Sequence, residues 1–171
     1  PRVGVSAGNV VLEVRNLSRP PMIKDVSFSL KKGEVLGFAG LIGAGRTEIM
    51  RALFGADLKA SGEIFIEGQK VEIKSPNDAV RLGIGFVPED RKLQGLILIM
   101  AVYENISLPI LPFMFSNGII DFKEEYSLAE SLVERLNIKT PTIWQIVNNL
   151  SGGNQQKVVL AKWLALKPRV L

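Results

Sequence analysis

The sequence predicts an α/β fold, and three observations predict it. An uncharged apolar run from Val35 to Ala39 leads through Gly40, Gly43 and Gly45 into a helical pattern. A second helical pattern opens at Ser151, behind which stand Gly152 and Gly153. Between the two, short apolar stretches bounded by glycine, or by serine and proline, read as strands and capped helices.

Each element has a local reason. Val35 to Ala39 carries no charge, as in a strand covered on both faces. The glycine loop behind it lets successive backbone N–H groups converge on one anion, and the helix it opens adds its positive end. From Gly40 to Thr47, with Leu41, Ile42 and Ala44 between the glycines, the chain matches GxxxxGK[ST] at every fixed position but one: Arg46 replaces lysine. Guanidinium is planar and geometrically demanding where ammonium is a compact point charge, so Arg46 would hold phosphate differently. Thr47 keeps the hydroxyl that magnesium needs, and Glu48 brings a carboxylate where a second hydroxyl is common. Alone, this stretch also fits a plain glycine turn between strand and helix.

The stretch Leu150 to Lys157, LSGGNQQK, narrows that choice. Ser151 is a residue type suited to an N-cap, and Val159, Trp163 and Leu166 then recur at helical spacing beside Leu160 and Leu164. Two separate glycine-flanked helix starts are one too many for a simple phosphate-binding enzyme.

LSGGNQQK resembles the signature motif of the ATP-binding cassette (ABC) family, with Asn154 where glutamine is usual and Lys157 where arginine is usual. The resemblance runs from Leu12 to Leu171. GLIGAGRTE, then FVPEDRK at Phe86 to Lys92, then LSGGNQQK is similar to the second, degenerate nucleotide-binding half of monosaccharide importers of the ribose, galactose and xylose type. It implies a P-loop NTPase (RecA-like) core with an antiparallel β subdomain and an inserted helical subdomain. Residues 1–9 are expected to be a linker remnant, 10–90 and 151–171 the ATP-binding core, and 91–150 the helical signature subdomain.

Size and composition fit one such domain. The chain has 171 residues, 47% apolar and 22% charged, enough for one core and too few for two large domains. With no cysteine and no histidine, thiolate chemistry and the common zinc and imidazole-base sites are excluded. The net charge of +4 is scattered rather than clustered, so a solvated basic surface is expected and no nucleic acid. No apolar signal-peptide core opens the chain. Glu104, Asn105, Pro109 and Pro112 interrupt the apolar stretch Leu96 to Phe115 well short of the roughly 18 uninterrupted residues that a membrane helix needs.

In order, Val10 to Val14 and Val26 to Leu30 alternate as half-buried strands. Ser18 to Met22 bends between them, at the place where the family carries an aromatic residue to stack on adenine; none is present. Thr47 to Phe54 should be helical and stop at Gly55. Strands are expected at Glu63 to Ile66 and Val71 to Ile73. Ser75, Pro76 and Asp78 make a good helix start, and Gly83 a stop. Ile84 to Val87 should be a further strand, delivering Pro88, Glu89 and Asp90 to its end. Leu128, Leu132 and Leu136 mark one helix face with Ala129 and Val133, and Thr140-Pro141 should start a shorter helix carrying Trp144. Leu96 to Met100, or Leu111 to Phe115, is expected to present an apolar, partner-seeking patch.

The family resemblance implies the site. Gly40, Leu41, Ile42, Gly43, Ala44, Gly45, Arg46, Thr47 and Glu48 would hold the phosphates of one ATP. Leu150, Ser151, Gly152, Gly153, Asn154 and Gln155 would act in trans on the nucleotide of a partner half. Thr47 and Glu89 would ligate Mg2+, Glu89 standing where the family has a glutamine; an ordinary surface ion cluster of Glu89, Asp90 and Arg91 is the other reading. The family's next strand would begin at 167–171 and end in an aspartate and a glutamate. Neither is present, so the fold is expected to be C-terminally incomplete and the chain alone inactive as an ATPase. An exposed strand edge could then pair fragments into dimers.

Expected partners are the other nucleotide-binding half, a membrane permease and an upstream sugar-binding protein, at the cytoplasmic face of the membrane. A non-catalytic regulatory module that lends only its signature helix is the alternative. A chromosome or repair ATPase is disfavoured, because no sustained heptads occur between cradle and signature.

Overall fold

The computed structural model describes residues 8–116 and 119–171. The chain divides into two compact units: residues 1–84 with 170, and residues 85–169 with 171. The expected linker remnant falls almost wholly outside the described residues.

The first unit is built on an antiparallel sheet. Strands β1 (Val10–Arg19), β2 (Ile23–Lys31), β3 (Ser61–Ile66) and β4 (Gln69–Val71) lie in the order β2-β1-β3-β4. β1 runs opposite both neighbours, with Val14 facing Phe28 on one side and Ile64 on the other. Alternation places Leu12 and Val14 of β1, and Ile64 and Ile66 of β3, in the core with Leu17 and Ile23. Two helices complete the unit, α1 (Arg46–Leu53) and α2 (Pro76–Arg81). α2 begins as its sequence predicts: Asp78 N–H donates to Ser75 Oγ over 3.4 Å, Ser75 Oγ donates to the Asp78 carboxylate over 2.9 Å, and Pro76 occupies the first turn.

Two expected strands do not form. Residues 35–39 are irregular and largely open to solvent, with Val35 94% exposed. A parallel strand is stabilised by neighbours on both sides, and among the described residues no strand pairs with this run. Residues 84–87 contribute a single parallel bridge, Ile84 to Val170, instead of a strand.

The second unit is helical. After a π-helical turn at Arg91–Gly95 come α3 (Val102–Ser107), a short hairpin of β5 (Phe115–Ser116) and β6 (Ile119–Ile120), α4 (Phe122–Arg135) and α5 (Gly152–Ala165). α3, α4 and α5 pack on one another, burying Val102, Ile106, Ala129, Leu132, Val158 and Val159. The helix expected at Thr140-Pro141 is replaced by a turn. Val102 and Tyr103 donate their N–H groups to the Gln145 and Ile143 carbonyls, and this pairing with α3's entry holds the segment out of helical conformation. Trp144 instead joins an edge-to-face cluster with Tyr103 and Tyr126.

The long apolar stretch is mostly core, braced by the fully buried Asn105, whose amide accepts from Ile97 N–H at 2.8 Å and donates back to the Ile97 carbonyl at 3.0 Å. Large apolar side chains nevertheless remain open at both expected places: Ile99 is 83% and Phe113 60% exposed. Among the described residues no helix is long and apolar enough to cross a membrane.

Candidate functional site

The cradle belongs to the first unit. Residues 40–45 form a loop closed by a turn in which Ala44 N–H donates to the Leu41 carbonyl over 3.1 Å. Leu41 and Ile42 project outward, 85% and 101% exposed, as expected of positions chosen for backbone rather than side chain. Gly43 and Gly45 both take the left-handed conformation, with φ of 81° and 83°. Gly45 has a second reason to be glycine: a Cβ there would sit 3.0 Å from the carbonyl oxygen of Met22, in the bend between β1 and β2. The Met22 carbonyl therefore supplies a backbone wall at the end of the loop.

Gly45 is the N-cap of α1, and no side chain caps the helix. The positive end of α1 is thus left to the loop and its surroundings, the arrangement that favours a bound anion. Arg46 and Thr47 are exposed and Glu48 half-buried. The far end of α1 is fixed by Arg51, whose guanidinium fork meets both oxygens of Asp57 at 2.9 Å. The fork holds the Asp57 carboxyl below the usual carboxylate range and raises Arg51.

The signature segment belongs to the second unit. Ser151 occupies the N-cap position of α5 but does not cap it: its hydroxyl accepts from the Asn154 side-chain amide at 3.0 Å, and no helix N–H reaches it. Ser151 and Gly153 are exposed, and a Cβ on Gly153 would meet nothing within 4 Å. Gly152 and Gln155 turn inward. Gln155 is buried, accepting from Arg91 Nε at 3.3 Å and donating to the Val147 carbonyl at 3.2 Å. Gly152 lies beneath the Arg91 guanidinium. Leu150 is half-buried behind the turn Val147–Asn149.

Sequence reasoning passed over Arg91 as a surface charge and did not see Lys162. Lys162 is buried and donates to the Gly95 carbonyl over 3.1 Å, and burial lowers its pKa. Together with the close approach of Val159 to Gly95, these contacts lock α5 to the π-helical turn that follows Glu89. The charged PEDRK string at 88–92 was the available signal; the partner 64 residues away was not.

Glu89 is exposed, immediately before Asp90, which caps the π-helical turn by accepting from the N–H groups of Lys92 and Leu93. Thr47 lies in the first unit and Glu89 in the second. Their hydroxyl and carboxylate are hard oxygen donors of the kind Mg2+ takes, and Mg2+ keeps water and phosphate oxygens for its other positions. Among the described residues there is no group of three or more His, Cys, Asp or Glu suited to a metal.

The chain resembles known proteins in sequence and in fold. The chain is 51% identical over 164 residues to a ribose import ATP-binding protein of Bacillus licheniformis, covering 96% of this chain and 33% of that protein. It is 49% identical over its full length to a ribose/galactose/methyl galactoside import ATP-binding protein of Burkholderia ambifaria, again 33% of that protein. The chain thus spans about a third of the length of the curated relatives it matches. Its fold matches the ATP-binding cassette MJ0796, solved as a dimer bound to ADP and Pi, with a TM-score of 0.72, 26% identity, 92% of this chain and 70% of that one covered. Residues 23–171 match the family model of ABC transporters, and the chain belongs to that family.

Proposed function

We propose that this chain is the second, degenerate nucleotide-binding half of a ribose-type sugar importer, coupling ATP binding and hydrolysis in the parent protein to monosaccharide uptake. One observation carries the reading: a single chain presents both a glycine cradle opening an uncapped helix and a signature helix whose Ser151 and Gly153 face solvent. The names of its relatives support the sugar and the direction of transport.

In this reading 10–90 and 151–171 form the ATP-binding core and 91–150 the helical subdomain. Residues 40–48 cradle the phosphates of one ATP, with Thr47 and Glu89 toward Mg2+. Ser151 and Gly153 reach the terminal phosphate of the nucleotide held by the other half. Gly152, Asn154 and Gln155 hold them in place from behind. Closing the two halves on ATP drives the permease, and hydrolysis with release reopens them. Exposed Ile99 and Phe113 are the side chains that would meet the permease at the cytoplasmic face of the membrane, with a sugar-binding protein supplying the substrate upstream.

Phosphoryl transfer is governed by positioning and charge neutralisation. Arg46 and the lack of an aromatic residue in 18–22 favour the second reading, a regulatory module whose own cradle is idle.

Calorimetry with Mg·ATP on the chain and on Thr47→Ala separates the two. Binding lost in the variant supports a working cradle; absence of binding in both assigns this half to regulation through its signature helix.

A further inference from the structure

The first turn of α5 contains an arrangement that sets the direction of one hydroxyl. Asn154 Oδ1 lies 3.0 Å from the backbone nitrogen of Lys139, and Asn154 Nδ2 lies 3.0 Å from Ser151 Oγ. A backbone N–H can only donate, so the oxygen of the amide must face Lys139 and its NH2 must face Ser151. Ser151 Oγ is therefore an acceptor toward Asn154, and its own hydrogen points elsewhere. That hydrogen is not needed for the helix, because a capping serine accepts rather than donates and Ser151 does not cap. The side chain is exposed, beside open space at Gly153.

Asn154 is in turn held by the segment it touches. Lys157 Nζ donates to the Asn137 carbonyl over 2.6 Å, two residues before the Lys139 N–H that Asn154 accepts. The two positions at which this signature departs from its family's usual residues thus both fasten α5 to 137–139.

We infer that Asn154 is a positioning residue that makes the Ser151 hydroxyl an outward donor, matched to an anionic oxygen: the terminal phosphate of the nucleotide held by the other half. This rests on the proposed trans role of the signature. A charge-free orienting amide serves this purpose where a carboxylate would defeat it. Aspartate could still accept from Lys139 N–H, but its second oxygen would accept the Ser151 hydrogen and turn the hydroxyl around.

The test is Mg·ATP hydrolysis by the full-length protein assembled with its permease in vesicles, comparing Ser151→Ala, Asn154→Asp, Asn154→Ala and the double variant Ser151→Ala/Asn154→Asp. Removing one positioned donor from a phosphate site is expected to lower kcat about 10²-fold with KM little changed. Asn154→Asp should match that loss with an unchanged melting temperature, and Asn154→Ala, which frees the hydroxyl without reversing it, should fall between. The double variant should be no worse than Ser151→Ala alone. Full activity in Asn154→Asp overturns the inference, as does an equal further loss in the Ser151→Ala background, which would mean that the added charge acts without the hydroxyl. A harmless Ser151→Ala overturns the trans role itself, and this inference with it.

Discussion

The guanidinium of Arg91 stands 2.8 Å from the place where a side chain on Gly152 would begin. The first glycine of the signature is thus a seat for an arginine 61 positions earlier, and that arginine holds Gln155 at the base of the same turn. One glycine, one guanidinium and one buried amide tie the loop after Glu89 to the start of α5.

This seat makes the two residues energetically dependent. Gly152→Ala must push the end of Arg91 aside, weakening a hydrogen bond worth about 1 kcal/mol, while alanine recovers up to about 1 kcal/mol of helix propensity. The single variant should therefore be nearly neutral. In an Arg91→Ala background the same change should stabilise. Urea denaturation read by tryptophan fluorescence is the appropriate measurement, since Trp144 and Trp163 both lie in the second unit. Additive effects of the two substitutions would contradict the seat.

Gly43 and Gly45 share a left-handed backbone but not a neighbourhood. Alanine at either should cost about 1–2 kcal/mol in the first unit for conformation alone. At Gly45 the new Cβ also meets the Met22 carbonyl, a backbone atom that cannot swing away, whereas at Gly43 it meets nothing within 4 Å. Thermal melting should rank Gly45→Ala below Gly43→Ala, and Mg·ATP binding should weaken more in the former. Equal melting temperatures would show that the wall at Met22 yields.

The fork between Arg51 and Asp57 predicts part of the acid response. Its hydrogen bonds lower the folded-state pKa of Asp57 from 3.8, so the ionised carboxylate stabilises the fold above that value. The contribution is lost as pH falls from 3.8 through the lower folded pKa. Asp57→Asn should reduce stability at neutral pH and flatten the decline below pH 3.8. A wild-type acid slope in the variant, followed by far-ultraviolet circular dichroism, would place the titrating group elsewhere.

Much of the fold was legible in short stretches of sequence because its causes are local. Ser75, Pro76 and Asp78 contain the whole start of α2 within four residues. The glycine pattern at 40–45 and the apolar spacing of α4 and α5 likewise act over one or two turns. The cradle and the signature could be read for the same reason: each is a contiguous loop in front of its own helix. Cross-strand pairs such as Val14 with Ile64 follow from alternation once the strands are known.

What remained illegible depends on partners distant in the chain. Val35 to Ala39 has the composition of a covered strand, yet strand formation is a contract between neighbours, and no described strand lies beside it. Thr140-Pro141 has the start signal of a helix, but hydrogen bonds from Val102 and Tyr103 take the carbonyls of Gln145 and Ile143 just beyond it for a different conformation. Sequence by itself determined the family, the strand-rich first half, most of the helices and the positions of both glycine loops, since propensity, capping and glycine geometry are properties of adjacent residues. Only the tertiary structure decided which signature residues face outward and which face Arg91, Val147 and Lys139. Those choices are made by hydrogen bonds across as many as 64 positions, where no local pattern distinguishes an inward amide from an outward one.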